Sequence, residues 1–226
     1  MQRSSIYVNF IKTALIVSVA IFIASASNAQ IAPPTIDMVF VEGDSVVESF
    51  SIGKYEVTQG QWKAIMGDNP SYFKNGDNYP VDMVNIDDIE EFIDKLNSLT
   101  GKNYRLPTMI EWNYAALGGN KGEGYDIDEA ELVKYKRNSN EKKTYSIGSF
   151  PPNKLGIYDM FSDMQEWTED NIVQMLDNES IKCNLVRNGC TDASNFEACA
   201  GMLWWKGYVS SSLRERFRSF RLVHPL

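Results

Sequence analysis

The stretch Gly156-Ile157-Tyr158-Asp159-Met160-Phe161-Ser162-Asp163-Met164-Gln165-Glu166-Trp167 decides how this chain is read. It has the composition of a carboxylate-bearing loop closed by aromatic residues. Asp163 and Glu166 can offer carboxylate oxygens while the carbonyls of Phe161, Ser162 and Met164 complete the shell of a hard cation, and calcium suits such mixed oxygen ligation. The alternative is that Glu166 hydrogen-bonds loop amides beneath Trp167. Two further segments frame the stretch, Tyr104-Arg105-Leu106-Pro107-Thr108 before it and Phe220-Arg221-Leu222-Val223 after it.

Upstream of the loop the chain carries clear start and stop signals. Met38 to Val41 and Val46 to Ile52 are short runs rich in β-branched residues, separated by Glu42-Gly43-Asp44, and predict a hairpin. Thr58 with Gln61 caps a short helix over Gly60 to Met66, stopped by Gly67, with Trp62, Ile65 and Met66 toward the core. Asn85 or Asp87 starts a second helix in which Ile86, Ile89, Phe92, Ile93 and Leu96 recur at helical spacing, while Asp87, Asp88, Glu90, Glu91 and Asp94 form a solvated face. Thr100-Gly101 stops it. Thr108 and Glu111 cap a third helix, which packs Trp112, Ala115 and Ala116 and ends at Gly118-Gly119. Beyond Leu117, glycine, proline, asparagine and aromatics dominate, and the polar tract Lys134 to Lys143 is a solvated loop. Helices early and short irregular strands with long loops later predict a single α+β domain with much irregular loop structure.

Residues 1–29 read as a signal peptide: Arg3 and Lys12 precede an apolar run, Ala14 to Ile23, and Ser27-Asn28-Ala29 supplies a cleavage site. The run is well short of the ~20 residues a spanning helix needs, so no stable membrane insertion is expected after cleavage. The chain is then periplasmic or extracellular, with a spacer over 30–37 and the domain over 38–226. Cleavage leaves 20 basic and 30 acidic side chains, which makes a nucleic-acid partner improbable. Cys183, Cys190 and Cys199 cannot all pair within one chain, and export predicts one disulfide, Cys190 with Cys199, leaving Cys183 as the spare thiol. His224 is the single histidine, so a histidine-based triad and a site with two histidine ligands are both hard to build.

The order and spacing of the three framing segments resemble the domain of formylglycine-generating enzyme and the sulfatase-modifying factors, over about Met38 to Val223. The resemblance implies a C-type-lectin-like fold, and it raises two chemistries. The first is the calcium site: where the family commonly has Gly-Asn-Val-Trp-Glu-Trp and, in some members, holds calcium through turn carbonyls and the glutamate, this chain has Ser162-Asp163-Met164-Gln165-Glu166-Trp167. The second is a copper(I) site, which catalytic members build from two cysteines after an Arg-Gly-Gly-Ser segment, soft thiolates favouring that ion. The matching segment here is Arg187-Asn188-Gly189-Cys190, which puts Cys190 on the serine position and Cys199 beside the second cysteine position. The opening glycine-rich stretch of the family is reduced to Val41-Glu42-Gly43-Asp44-Ser45.

A last feature is the aromatic run Met202-Leu203-Trp204-Trp205-Lys206-Gly207-Tyr208, followed by a tract with Arg214, Arg216, Arg218 and Arg221. Aromatics and arginine dominate binding hot spots, so Trp204, Trp205, Tyr208, Arg214 and Arg216 form a candidate surface for a protein or glycan partner. The alternative is that one tryptophan fills the core and the arginines pair with acidic groups. Three functions follow: a non-catalytic binding or scaffold module, a copper-dependent oxidase acting on a protein cysteine through Cys190 and Cys199, and a lectin-type recognition domain.

Overall fold

The computed structural model describes residues 32–121, 144–160, 162, 164–176, 179–188 and 207–226. Residues 1–29, expected as a signal peptide, and the tract Lys134 to Lys143 lie outside them. Pro33–Leu226 form one compact body. Its described residues form three capped helices and two sheets, an α+β arrangement.

The hairpin pairs β1 (Met38–Val41) with β2 (Phe50–Gly53) in the register Met38 to Gly53. The second strand begins four positions later than its β-branched residues suggest, because Asp44 takes the amides that strand pairing would use. Its Oδ1 accepts from Val46 N at 2.7 Å and Val47 N at 2.9 Å, and Gly43 N donates to Ser49 Oγ at 3.0 Å. The turn needs Gly43, since a Cβ there would lie 2.2 Å from the Val47 carbonyl oxygen. The expected spacer is partly docked: Lys54 N donates to Asp37 O, Gln61 Nε2 to Thr35 O, and Ile36 packs on the core.

Helix α1 (Gln59–Met66) has both halves of the Thr58/Gln61 capping box and stops at Gly67 with φ +88°. Helix α2 (Ile86–Thr100) is capped by Asn85, not Asp87, with Asp88 bonding back to the cap amide, and its five expected apolar residues are all buried. Trp62 of α1 stacks on Phe92 of α2 at 5.2 Å between ring centroids, and Phe220 meets both rings edge-on. Helix α3 (Met109–Ala116) is capped by Thr108 and Glu111, and Glu111 also forms a bidentate pair with Arg105.

The late region is more regular than its composition predicts. Strand β3 (Gln165–Leu176) pairs antiparallel with β4 (Glu179–Asn188), and these are the longest strands of the molecule among the described residues. The register shifts between Trp167 and Asn171, and the shifted residues turn to α3: Glu169 N donates to Pro107 O, and Asp170 accepts from Met109 N at the helix start. Polar residues and a bulge that breaks the period of two hid this ribbon in the sequence. The second sheet has the order β5-β4-β3-β6, with β5 (Gly207–Ser210) antiparallel to β4 and β6 (Arg218–Ser219) parallel to β3. The tail then crosses to the first sheet, where β7 (Val223–Pro225) pairs with β2. The segment between β6 and β7 therefore runs between the two sheets and carries Phe220, Arg221 and Leu222 into the interior.

Candidate functional site

Glu166 does not sit in a loop. It is the second residue of β3, opposite Arg187 on β4 and Ser219 on β6, and that placement turns its side chain inward. Arg221 meets it with a bidentate pair, Nε to Oε2 and Nη2 to Oε1, both at 2.6 Å. The indole of Trp112, on α3, donates to Oε2 at 2.8 Å. Arg221 also donates to the carbonyls of Gly53 and Tyr158 at 3.1 and 3.3 Å. Its burial works against the charge, and the Glu166 carboxylate outweighs it, so the guanidinium is held charged more firmly than usual. One ion pair thus ties together α3, both sheets and the 156–160 turn. With its two oxygens taken by three donors, Glu166 does not fit the role of a calcium ligand.

Two more carboxylates surround this pair. Asp159, at φ +62°, accepts from Gly148 N at 2.5 Å and Phe150 N at 2.9 Å and so fastens the 146–150 turn. Burial raises its pKa to about 6 against the pull of those amides and of Arg221. Glu56 accepts from Ser162 Oγ at 3.4 Å, but its Oε2 has no hydrogen-bond partner among the described residues, and Arg221 Nη2 comes only to 3.9 Å of it. Burial, then the Asp159 charge, pushes the Glu56 carboxyl well above its ordinary range. Three buried carboxylates around one guanidinium disfavour full ionisation, most of all at Glu56, the least well paired. The cavity lined by Glu56, Asp159 and Ser162 measures about 10 Å³, room for a single water. A second, lined by Tyr55, Glu56 and Gln61, measures about 70 Å³. Neither admits a peptide or a sugar.

The outer face of the tail is different. Met83, Arg214, Glu215, Arg216 and Phe217 line an open cleft of about 430 Å³. Arg214 pairs with Asp88 at the start of α2 at 2.6 Å. Arg216 is exposed and lies 5.5 Å from the Tyr72 ring centroid and 5.9 Å from that of Phe217. Arg218 turns in, bonding Gln165 and Glu215 over the Trp167 ring at 4.9 Å. The tail arginines therefore divide: Arg218 and Arg221 serve the interior, Arg214 and Arg216 the surface.

Of the other expected site residues, Ser162 is buried, its Oγ accepting from Met164 N and donating to Glu56, and the Met164 side chain is buried as well. Phe161, Asp163, Cys190, Cys199, Trp204 and Trp205 lie outside the described residues. Tyr208 stands on β5 opposite Leu185. Cys183 is a buried free thiol on β4. Glu56, Asp159 and the indole of Trp112 were not expected in any polar role. Glu56 had a signal, an acid set between the β-prone Tyr55 and Val57 directly before a helix cap.

Residues 40–221 match the model of the sulfatase-modifying factor enzyme 1-like domain. Chaperone protein LppX of Paenibacillus barcinonensis is 32% identical over 197 residues, covering 58% of this chain and 70% of that protein. Serine/threonine-protein kinase pkn1 of Chlamydia pneumoniae is 41% identical over 66 residues, 29% of this chain but only 10% of the kinase. Among solved structures, CarF superposes with a TM-score of 0.67 at 22% identity, over 85% of this chain and 99% of CarF. PvdO from Pseudomonas aeruginosa gives 0.63 at 20% identity, over 86% and 92%. With the buried Glu166–Arg221 pair, the capped helices and the crossing tail, these matches identify the chain as a member of the formylglycine-generating enzyme and sulfatase-modifying factor family, with its C-type-lectin-like fold.

Proposed function

We propose that this chain is an exported, non-catalytic module that binds other polypeptides. The observation that carries the reading is how the polar residues of the framing segments are used: Arg105, Glu166 and Arg221 are each committed to an internal carboxylate or guanidinium partner. Polar groups spent on one another hold a fold together; they do not meet a substrate. What faces outward among the described residues is a cleft of arginine and aromatic side chains, the residue types enriched where proteins bind proteins. The relative named as a chaperone protein supports a polypeptide partner. The displaced positions of Cys190 and Cys199 argue in the same direction, since a copper(I) thiolate pair needs both sulfurs on one ion.

The test has two arms on the purified chain. Copper(I) titration of the reduced protein should give no tight one-to-one binding that depends on Cys190 and Cys199, and substoichiometric amounts of the chain should slow the aggregation of a denatured client protein followed by light scattering. Tight copper(I) binding lost in both Cys190→Ser and Cys199→Ser, with oxidation of a cysteine peptide, would replace this reading with the oxidase.

A further inference from the structure

Four arginines stand in the last stretch of the chain, and three have carboxylate partners: Arg214 with Asp88, Arg218 with Glu215, Arg221 with Glu166. Arg216 has none among the described residues. In a chain with 30 acidic and 22 basic side chains an arginine has ample choice of surface carboxylates. Arg216 instead lies against two aromatic rings, Tyr72 and Phe217. Those rings restrict a long side chain that is otherwise free to adopt many rotamers, and they leave guanidinium N–H donors for a partner from outside.

The backbone around it is held in a costly conformation. Met83 and Phe217, two of the lining residues, have φ of +62° and +66°, a region bulky side chains seldom occupy. Met83 N donates to Glu215 O, while Phe217 O accepts from Gln165 N and the Phe217 ring packs on Phe73 at 4.9 Å between centroids. Met83 and Phe217 line the cleft of about 430 Å³ together with Arg216.

We infer that Arg216 anchors a peptide carboxylate, and that the cleft takes an extended segment in which an Asp or Glu is flanked by apolar residues. This rests on the polypeptide-binding reading above and gives it a ligand chemistry. A planar guanidinium recognises a carboxylate through two parallel N–H donors. Met83, Phe217 and the 59% exposed Tyr72 offer apolar surface for the neighbouring side chains. The negative charge of the whole molecule does not prevent this, because at physiological salt charges beyond about 8 Å are screened, and the cleft lining carries two arginines, Arg214 and Arg216, against one carboxylate, Glu215, which pairs with Arg218.

The experiment is fluorescence anisotropy with a short labelled peptide alternating Glu and Leu, its Gln counterpart, and an oligosaccharide of uronic acids. The Glu peptide should bind more tightly than the Gln peptide. Arg216→Ala should weaken it about tenfold, the loss of one charge-assisted contact, and Arg216→Lys should recover only part. Arg216 is exposed, so circular dichroism and the urea midpoint of both variants should match the wild type. Equal binding of the Glu and Gln peptides, or undiminished binding by Arg216→Ala, overturns the assignment. Binding of the uronate alone overturns the peptide class. If client aggregation is still suppressed in either case, the module reading stands and only this cleft is excluded.

Discussion

Arg216 and Arg221 are five positions apart on one tail, and the protein uses them in opposite ways. Arg221 is fully buried, bonded to a carboxylate through two nitrogens and to two carbonyls, and its removal would leave Glu166 charged in a dry interior. Arg216 is exposed, bonded to no carboxylate among the described residues, and steadied by rings alone. The same side chain is thus a fastener where strands from both sheets close over it and a contact point where the backbone turns away. The difference teaches that the arginine within a family segment can serve the fold, and that the proposed binding chemistry is to be sought outside that segment.

The largest effect should come from breaking the fastener. Arg221→Met leaves two buried carboxylates without their cation and should cost about 3–5 kcal/mol of stability, seen in urea unfolding or as loss of soluble protein. Trp112→Phe keeps the packing but removes the indole donor to Glu166, and should cost about 1–3 kcal/mol in the same measurement.

A pH titration sharpens the comparison further. Asp159 and Glu56 hold their protons more tightly folded than unfolded, so folding takes up protons. Their contribution to stability is complete below the ordinary carboxylate range and declines as pH rises through about 6 for Asp159. Glu111, paired with Arg105, has a lowered pKa and acts oppositely, its contribution disappearing as pH falls below its ordinary value of 4.5. The melting temperature should therefore peak in mild acid and fall toward neutrality. Glu56→Gln, which replaces an oxygen that has no hydrogen-bond partner among the described residues, should flatten that fall and leave peptide binding unchanged. The smallest effect belongs to the surface: Arg214→Ala removes an exposed pair with Asp88 and should cost about 1 kcal/mol or less, with salt erasing the difference.

The parts that were legible in the sequence are those governed by local rules. The capping residues Thr58, Asn85 and Thr108, the apolar stripe of α2 and the glycine stops at Gly67 and Gly101 all follow from neighbours within one helical turn. The family and its fold were legible from the framing segments. What those segments do was not. Glu166 was expected in a loop with Asp163, but its partners Trp112 and Arg221 are 54 and 55 positions away. Glu56 and Asp159 join the same cluster from opposite parts of the chain, and no periodicity announces that meeting. Asp44 captured amides that the β-branched residues around it seemed to promise to a strand. Of the residues proposed for recognition, Arg214 and Arg216 stand out in the composition, whereas Met83 joins them only through the fold.

The central claim is that the tail separates structure from recognition between Arg221 and Arg216, and one variant tests it most directly. Arg216→Ala is to be measured for urea midpoint and acidic-peptide affinity on the same sample. The account predicts a wild-type midpoint with affinity lost. A lowered midpoint with affinity retained would mean that Arg216 belongs to the scaffold and would contradict it.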